Sequence, residues 1–197
     1  MKNCILLIGI LFFGSISLLN AQARPGIKLG VNNSNLSNTT LEDKKDLYIG
    51  AFVNIPLADY YALQPEILYS RQGGTSNSTE FGDVNINYIA VTAVNKFYVS
   101  PNKGFHFIIG LGLDFNVSSD LNILFGSNND AFEISPVDLT FTGGIGYEFG
   151  FGLILEARYK QGAISTDFFG NRDLFEEDGS QLNSVIQVGL GYKFKIK

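Results

Sequence analysis

Alternation of large apolar residues with small or polar ones dominates the chain beyond its first two dozen residues. In Phe105–Val117 every odd-numbered residue is large and apolar, whereas His106, Asp114 and Asn116 lie among the residues between them. A period of two is that of a β-strand with one apolar face, and a helix would instead repeat every 3.6 residues. The same pattern recurs along the chain and predicts an all-β fold.

Eight segments have this strand character, and two of them, Tyr48–Leu57 and Asn85–Tyr98, carry apolar residues on both faces. The connections between the segments alternate between long and short. The long, polar connections are 34–47, 72–84, 118–135 and 161–183, and the short ones are 58–60, 99–104 and Gly150. Long loops at one end and tight turns at the other are typical of outer-membrane barrels. The pattern therefore predicts an eight-stranded antiparallel up-and-down transmembrane β-barrel with both termini periplasmic.

The chemistry of the two strand faces indicates which one points outward. A soluble lipocalin-like barrel keeps its apolar face inside, around a ligand. Here the apolar face is bulky and continuous, while the other face is rich in Gly, Thr, Asn and charges. Because an eight-stranded barrel has room inside only for packed side chains, we assign the bulky face to lipid. A soluble ligand binder is the alternative if the protein fractionates with the periplasm.

Aromatic residues bunch near the two ends of the predicted strands, as they do at membrane interfaces. At the short-turn end these are Tyr60, Tyr61, Phe97, Tyr98, Phe105, Phe149, Phe151, Tyr192 and Phe194. At the long-loop end they are Tyr48, Tyr69, Tyr88, Phe115 and Tyr159. We expect both sets to form girdles on the lipid-facing surface.

The first 23 residues have the features of a secretory signal peptide. Lys2 precedes an apolar run over Ile5–Leu19, and Ala21-Gln22-Ala23 supplies the small residues of a cleavage site. We predict cleavage near Ala23, which divides the chain into a signal peptide, 1–23, and a barrel domain, 24–197. Cleavage would also remove Cys4, the single cysteine of the chain, and so exclude disulfide and thiol chemistry.

Composition changes this picture little but excludes some partners. Only 17% of the residues are charged, against a usual value of about 25%. The formal net charge of −5 argues against a nucleic-acid partner, which a basic surface would attract.

Two segments carry a family resemblance. Gly26–Ser34, with the sequence GIKLGVNNS, and Leu63–Gly73, with the sequence LQPEILYSRQG, resemble the Bacteroidetes outer-membrane β-barrel family often labelled PorT-like, of the OmpA/OmpX type. The resemblance covers essentially the whole barrel domain and implies a place in the outer membrane, with an accessory role in protein secretion as one implied function. The family's fourth strand often contains a Leu-x-Ile-Pro-Leu segment, and here Tyr88–Val94 lacks the proline.

The last predicted strand also resembles the C-terminal signal that the barrel-assembly machinery reads. The pattern is a polar residue, a glycine and two alternating aromatic residues, which here are Gln187, Gly189, Tyr192 and Phe194. We expect this strand to present an edge for pairing during insertion, a form of β-augmentation.

The inward face is the first candidate for chemistry. We place nine charged residues in the lumen: Glu66, Arg71, Asp114, Asp138, Glu148, Glu156, Arg158, Lys160 and Lys193. They could form an ion pathway or a proton relay, but a narrow, dry interior favours mutual pairing, because an unpaired charge there pays its full desolvation cost. We therefore predict a salt-bridged plug.

No residue pattern supports catalysis, a cofactor or a metal. His106 is the single histidine and is predicted to lie inside, near the short turns, whereas a lipid A-modifying enzyme would need its histidine base at the outer leaflet. A zinc site is likewise unsupported without a second histidine or a mature cysteine.

The sequence thus predicts an outer-membrane protein with a structural or interaction role. Its predicted partners are outer-membrane lipid, lipopolysaccharide and the assembly machinery, with surface or secretion partners binding through the four long loops. A narrow pore or a secretion accessory is the alternative, and a lipid A-modifying enzyme a further one.

Overall fold

The computed structural model describes residues 23–36, 42–75, 84–102, 104–117, 137–163 and 182–195. The predicted signal peptide, 1–23, therefore lies almost entirely outside the described residues. Most residues of the long connections also lie outside them. The eight strands are β1 Arg24–Leu36, β2 Glu42–Ala58, β3 Tyr61–Thr75, β4 Val84–Tyr98, β5 Phe105–Asn116, β6 Val137–Glu148, β7 Leu153–Gly162 and β8 Asn183–Lys193.

The strands form one closed antiparallel barrel in chain order. Each strand pairs with its neighbours in sequence, and β1 pairs with β8 to close the sheet. Closure removes the exposed edges that a sheet could not satisfy in lipid. The predicted fold is therefore confirmed. Within the described part of the chain, no helix is long and apolar enough to cross a membrane.

The strands run further than the apolar pattern does at one end. Ser34 pairs with Lys44 and Asn32 with Asp46, so residues 34–36 and 42–47 belong to β1 and β2 and not to a loop. The predicted first loop, 34–47, is wrong in extent because polar residues continue the backbone ladder after the apolar alternation has stopped. In the same way β3 continues to Thr75, and β7 to Gly162. We call this end of the barrel the loop end, and the end with turns at 59–60, 99–104 and 149–152 the turn end.

The outer wall of the barrel is apolar. Ile27, Leu111 and Ile186 each expose about half of their surface, and their neighbours along each strand are buried. Side chains of alternate residues point to opposite faces of a strand, so the buried set lines the lumen. The bulky apolar face thus points outward, as the sequence predicts.

Three of the predicted girdle residues lie inside. Tyr48, Tyr88 and Tyr98 are almost fully buried in the lumen, because each falls in the inward parity of its strand. Their strands, β2 and β4, are those with apolar residues on both faces, where alternation does not separate the faces. On the outer wall at the turn end, Tyr192 and Phe194 do pair, with ring centroids 5.5 Å apart.

Glycines on β1 and β8 make room for the inward aromatic rings of β2. An added Cβ on Gly189 would lie 2.0 Å from the Tyr48 Oη, and one on Gly30 would lie 2.6 Å from the Tyr48 ring. Likewise, a Cβ on Gly26 would lie 2.2 Å from the Phe52 ring. On this side of the lumen, two large rings of β2 therefore pack against the glycine backbone of β1 and β8.

Candidate functional site in the barrel lumen

A charged cluster lies in the middle of the lumen and joins opposite walls. Arg158 of β7 donates from Nη1 to Glu66 Oε2 and from Nη2 to Glu66 Oε1, each over 2.8 Å. Glu66 belongs to β3, which is four strands away in a barrel of eight. The planar guanidinium matches the two carboxylate oxygens, a strong and directional pairing. This pair spans the diameter of the lumen.

A second carboxylate and two lysines complete the central cluster. The Lys28 Nζ lies 2.9 Å from Glu66 Oε1 and 2.7 Å from Glu156 Oε2. Arg158 Nη2 is also 2.7 Å from Glu156 Oε2, and Lys96 Nζ is 2.7 Å from Glu156 Oε1. All five side chains are nearly inaccessible to solvent. Three cations thus share two carboxylates in a space that excludes bulk water.

Neutral groups and His106 border the cluster. Gln64 donates to Glu66 over 2.7 Å and accepts from Asn54 over 3.1 Å. The His106 Nε2 lies 3.7 Å from Glu156 Oε1, and its Nδ1 is 3.0 Å from the Gly104 carbonyl oxygen. His106 is fully buried and lies near the turn end, as predicted.

Each end of the lumen has its own ion pair. At the turn end Lys193 pairs with Glu148, which also accepts a hydrogen bond from the Tyr98 hydroxyl over 3.0 Å. Towards the loop end Lys160 pairs with Asp114, and Asp138 is the cross-strand neighbour of Asp114. Among the buried side chains that the structure describes, five are basic and five are acidic. They are Lys28, Lys96, Arg158, Lys160 and Lys193, and Glu66, Asp114, Asp138, Glu148 and Glu156.

Uncharged polar side chains connect β1, β3 and β8 at the loop end. Asn32 donates to the Ser70 Oγ over 2.8 Å and accepts from Gln187 over 2.9 Å. Gln72 donates to Ser70 over 3.0 Å and accepts from Asn183. Hydrogen bonds of this kind satisfy polar atoms that the lumen removes from water.

The structure places eight of the nine predicted lumen charges inside and one outside. The eight are Glu66, Asp114, Asp138, Glu148, Glu156, Arg158, Lys160 and Lys193. Arg71 was expected inside, and this prediction is wrong. It shares the parity of the partly exposed Tyr69, half of its side chain is exposed, and its Nε lies 3.5 Å from Asp46 Oδ1.

Sequence reasoning missed two lumen cations. Lys28 lies between the outward-facing Ile27 and Leu29, so the alternation along β1 already indicates that its side chain points into the lumen. Lys96 lies in β4, where apolar residues on both faces hide the direction of the strand. Its place inside the lumen becomes clear only from the strand pairing, in which Lys96 lies opposite the buried Ala62 on β3 and the buried Ile108 on β5.

Three residues of the predicted assembly signal lie on β8, and Phe194 directly follows the strand. Gln187 points into the lumen and bonds Asn32, and Gly189 accommodates Tyr48. Tyr192 and Phe194 lie on the outer wall at the turn end. Two of the four therefore have packing roles of their own, and the signal itself stays a prediction.

Comparison with known proteins agrees with this architecture. Residues 20–167 match the family described as outer membrane protein beta-barrel domain. The match spans well over half of the chain, so the chain belongs to this family, and it is an outer-membrane β-barrel protein. No curated protein sequence matches the chain.

Solved structures show the same fold at low sequence identity. Neisserial surface protein A is 14% identical, with a TM-score of 0.56 over 88% of this chain and 98% of that one. The outer membrane protein AlkL, solved in lipid bilayers, is 11% identical, with a TM-score of 0.52 over 89% and 92%.

Proposed function

We propose that the protein is a non-conducting outer-membrane anchor that presents its loops at the cell surface. The observation that carries this proposal is the Arg158–Glu66 pair, which links β7 to β3 across the full width of the lumen. With Lys28, Lys96 and Glu156 bound to the same pair, the cross-section is occupied by side chains at its centre.

The energetics of the cluster support a lumen that stays closed. A solute could pass only if the buried pairs separated, and breaking one buried pair costs about 3–5 kcal/mol. The neutral hydrogen bonds from Asn32 to Ser70 and from Gln187 to Asn32 add a second obstruction towards the loop end. An ion pathway would instead need a continuous row of hydrated sites.

The orientation of the barrel in the membrane follows from the alternation of long and short connections along the chain. We infer that the loop end faces outward, where it contacts lipopolysaccharide, and that both termini lie on the periplasmic side after cleavage near Ala23. The apolar outer wall contacts membrane lipid, and β8 carries the pattern that the assembly machinery would read. Partners at the surface would bind through the connections at the loop end.

Conductance in a planar lipid bilayer tests the closed lumen. We expect the purified protein to insert without steady open-channel steps, and the double variant Glu66→Ala/Arg158→Ala to produce them. Arg71→Gln, on the outer wall, serves as the matched control and should stay silent. Steady steps from the unaltered protein would overturn the proposal and favour a narrow pore.

Two narrower assignments belong to the same proposal. The PorT-like membership and the link to protein secretion rest on the segments Gly26–Ser34 and Leu63–Gly73 alone, and normal export in a deletion strain would remove the secretion role. We also propose that the protein is not an enzyme. This is supported by His106, which is buried near the turn end with its ring 5.0 Å from that of Tyr98.

A further inference from the structure

Two carboxylates face each other in the lumen towards the loop end. Asp114 of β5 and Asp138 of β6 are direct cross-strand partners, and both are nearly inaccessible to solvent. Side chains paired in this way have Cβ atoms about 4.5–5.5 Å apart, and like charges so placed repel each other. The Lys160 ammonium binds Asp114, and the Thr140 hydroxyl donates to the same carboxylate over 3.5 Å.

The Tyr88 hydroxyl is an independent indication that a ligand binds beside the two carboxylates. The residue is fully buried on β4, and the negative charges of Asp138 and Asp114 act on its hydroxyl. Yet that hydroxyl has no hydrogen-bond partner among the described residues. A buried phenol normally donates to a nearby acceptor. A hydroxyl that donates to neither carboxylate has a lone pair available for a positively charged ligand.

A second unused oxygen lies on β8. The Asn183 side chain is buried and donates its Nδ2 to Gln72, while its Oδ1 has no hydrogen-bond partner in the described part of the chain. Gly162 of β7, the strand between β6 and β8, leaves room for the Asp138 carboxylate. A Cβ added there would lie 2.2 Å from Asp138 Oδ2 and 3.3 Å from the Asn183 backbone carbonyl oxygen, so the Asp138 side chain extends across β7 towards β8.

We propose that this end of the lumen binds one Ca²⁺ ion through Asp114, Asp138, the Tyr88 hydroxyl and the Asn183 amide oxygen. No three His, Cys, Asp or Glu residues cluster among the described residues, so the site consists of two carboxylates completed by neutral oxygens and water. Oxygen donors select hard cations, and Ca²⁺ accepts six to eight oxygens in irregular geometry, whereas Mg²⁺ demands an octahedron.

The two carboxylates lie between the central cluster and the loop end. Asp138 is the second residue of β6, and Asp114 lies two residues before the end of β5, so both are close to the loop end. Entry from that end does not require the Arg158–Glu66 pair to open. The site therefore does not depend on whether the lumen conducts.

Terbium luminescence and calorimetry test the site on protein purified from outer membranes and freed of metal with a chelator. Tb³⁺ replaces Ca²⁺ at oxygen sites and is excited through a nearby tyrosine, here Tyr88. We expect one saturable Ca²⁺ site with a Kd of about 0.1–1 mM, the range of extracellular calcium modules, and displacement of bound Tb³⁺ by Ca²⁺.

Matched variants separate this site from other acidic groups. Asp138→Asn and Tyr88→Phe should each weaken Ca²⁺ binding at least about tenfold, the equivalent of 1.4 kcal/mol. Glu148→Gln removes a buried carboxylate at the turn end and should leave the Kd unchanged. The heat-dependent shift in gel migration shows that each variant is folded, and if Asp138→Asn fails to fold, Tyr88→Phe carries the test.

The proposal is overturned by any of three results. The first is no saturable binding up to about 10 mM Ca²⁺, which would mean that the site holds only water. The second is an unchanged Kd in Asp138→Asn or, where that variant does not fold, in Tyr88→Phe. The third is an equal loss of binding in Glu148→Gln.

Discussion

Arg158 and Glu66 start from opposite walls of the barrel and meet at its centre in two parallel hydrogen bonds of 2.8 Å. A single charge buried at this position would be destabilising, because no opposite charge would compensate the free energy lost on removing it from water. Together they hold β3 and β7 at a fixed separation. The contact thus occupies the centre of a lumen whose width follows from the number and tilt of the strands.

Removing one half of this pair is the most direct test of the central cluster. Glu66→Gln leaves Arg158 and Lys28 without one of their two carboxylates, and we expect a loss of about 3–5 kcal/mol in the free energy of unfolding. Guanidinium unfolding in detergent measures it. The control is Arg71→Gln, which breaks the half-exposed contact with Asp46 and should cost less than about 1 kcal/mol. Equal costs for the two variants would contradict a buried, paired cluster.

The packing of Tyr48 against Gly189 gives a second prediction. In Gly189→Ala the new Cβ would lie 2.0 Å from the Tyr48 Oη and 2.7 Å from the Leu29 carbonyl oxygen, so both ring and backbone must move. We expect a loss of about 1–3 kcal/mol in unfolding experiments. Gly143→Ala is the matched control, since an added Cβ there meets nothing within 4 Å and should change stability by less than about 0.5 kcal/mol.

The assembly signal can be separated from folding by comparing cells with purified protein. Phe194→Ala removes the last aromatic residue of the pattern, and we expect less protein in the outer membrane but unchanged refolding into detergent micelles. Phe151→Ala is the control, because Phe151 also lies exposed at the turn end but belongs to the turn between β6 and β7 and not to the predicted signal. Comparable losses of outer-membrane protein in both variants would show that girdle aromatics matter in general and that β8 carries no special signal.

Asp43 lies at the loop end, beyond the last outward apolar residue of β2, and its titration can be followed separately. Hydrogen bonds from Asn35 and Asn33 hold the pKa of its carboxyl below the usual value. A lowered pKa in the folded state means that these bonds stabilise the fold above the unfolded pKa of about 3.9 and are lost as pH falls through the folded value. In an NMR titration, Asn35→Ala should raise the midpoint, whereas Asn95→Ala at the turn end should not. A midpoint unmoved by Asn35→Ala would contradict this assignment.

Much of the fold could be predicted because one physical rule acts on nearly every residue. In a barrel of this size each side chain faces either lipid or lumen, so parity alone places Glu66, Glu156 and Arg158 inside. The same rule would have excluded Arg71, which has the parity of Tyr69. The wrong placement of Arg71 is thus a failure to apply the pattern and not a limit of it.

The remaining errors have a different origin. Lys96, Tyr48 and Tyr88 lie on strands where both faces are apolar, and on β2 the large inward rings pack against glycines of β1 and β8. That packing depends on which strands are adjacent and on their register. The pattern of hydrophobic residues along one strand does not contain this information. Likewise, the true length of the first connection depends on backbone pairing between Ser34 and Lys44.

The distances along the chain between the partners of the central cluster impose an order on folding. Lys28 meets Glu156 128 residues later, and Arg158 reaches back 92 residues to Glu66. Until β7 is paired, Glu66 can meet Lys28 of β1 but has no arginine, so the carboxylate must keep part of its hydration. We therefore expect the central cluster to lose its remaining water only when the last strands join the first, as one late, cooperative event. A chain stalled before β7 would therefore remain an open, wetted sheet, which a cell could recognise and degrade.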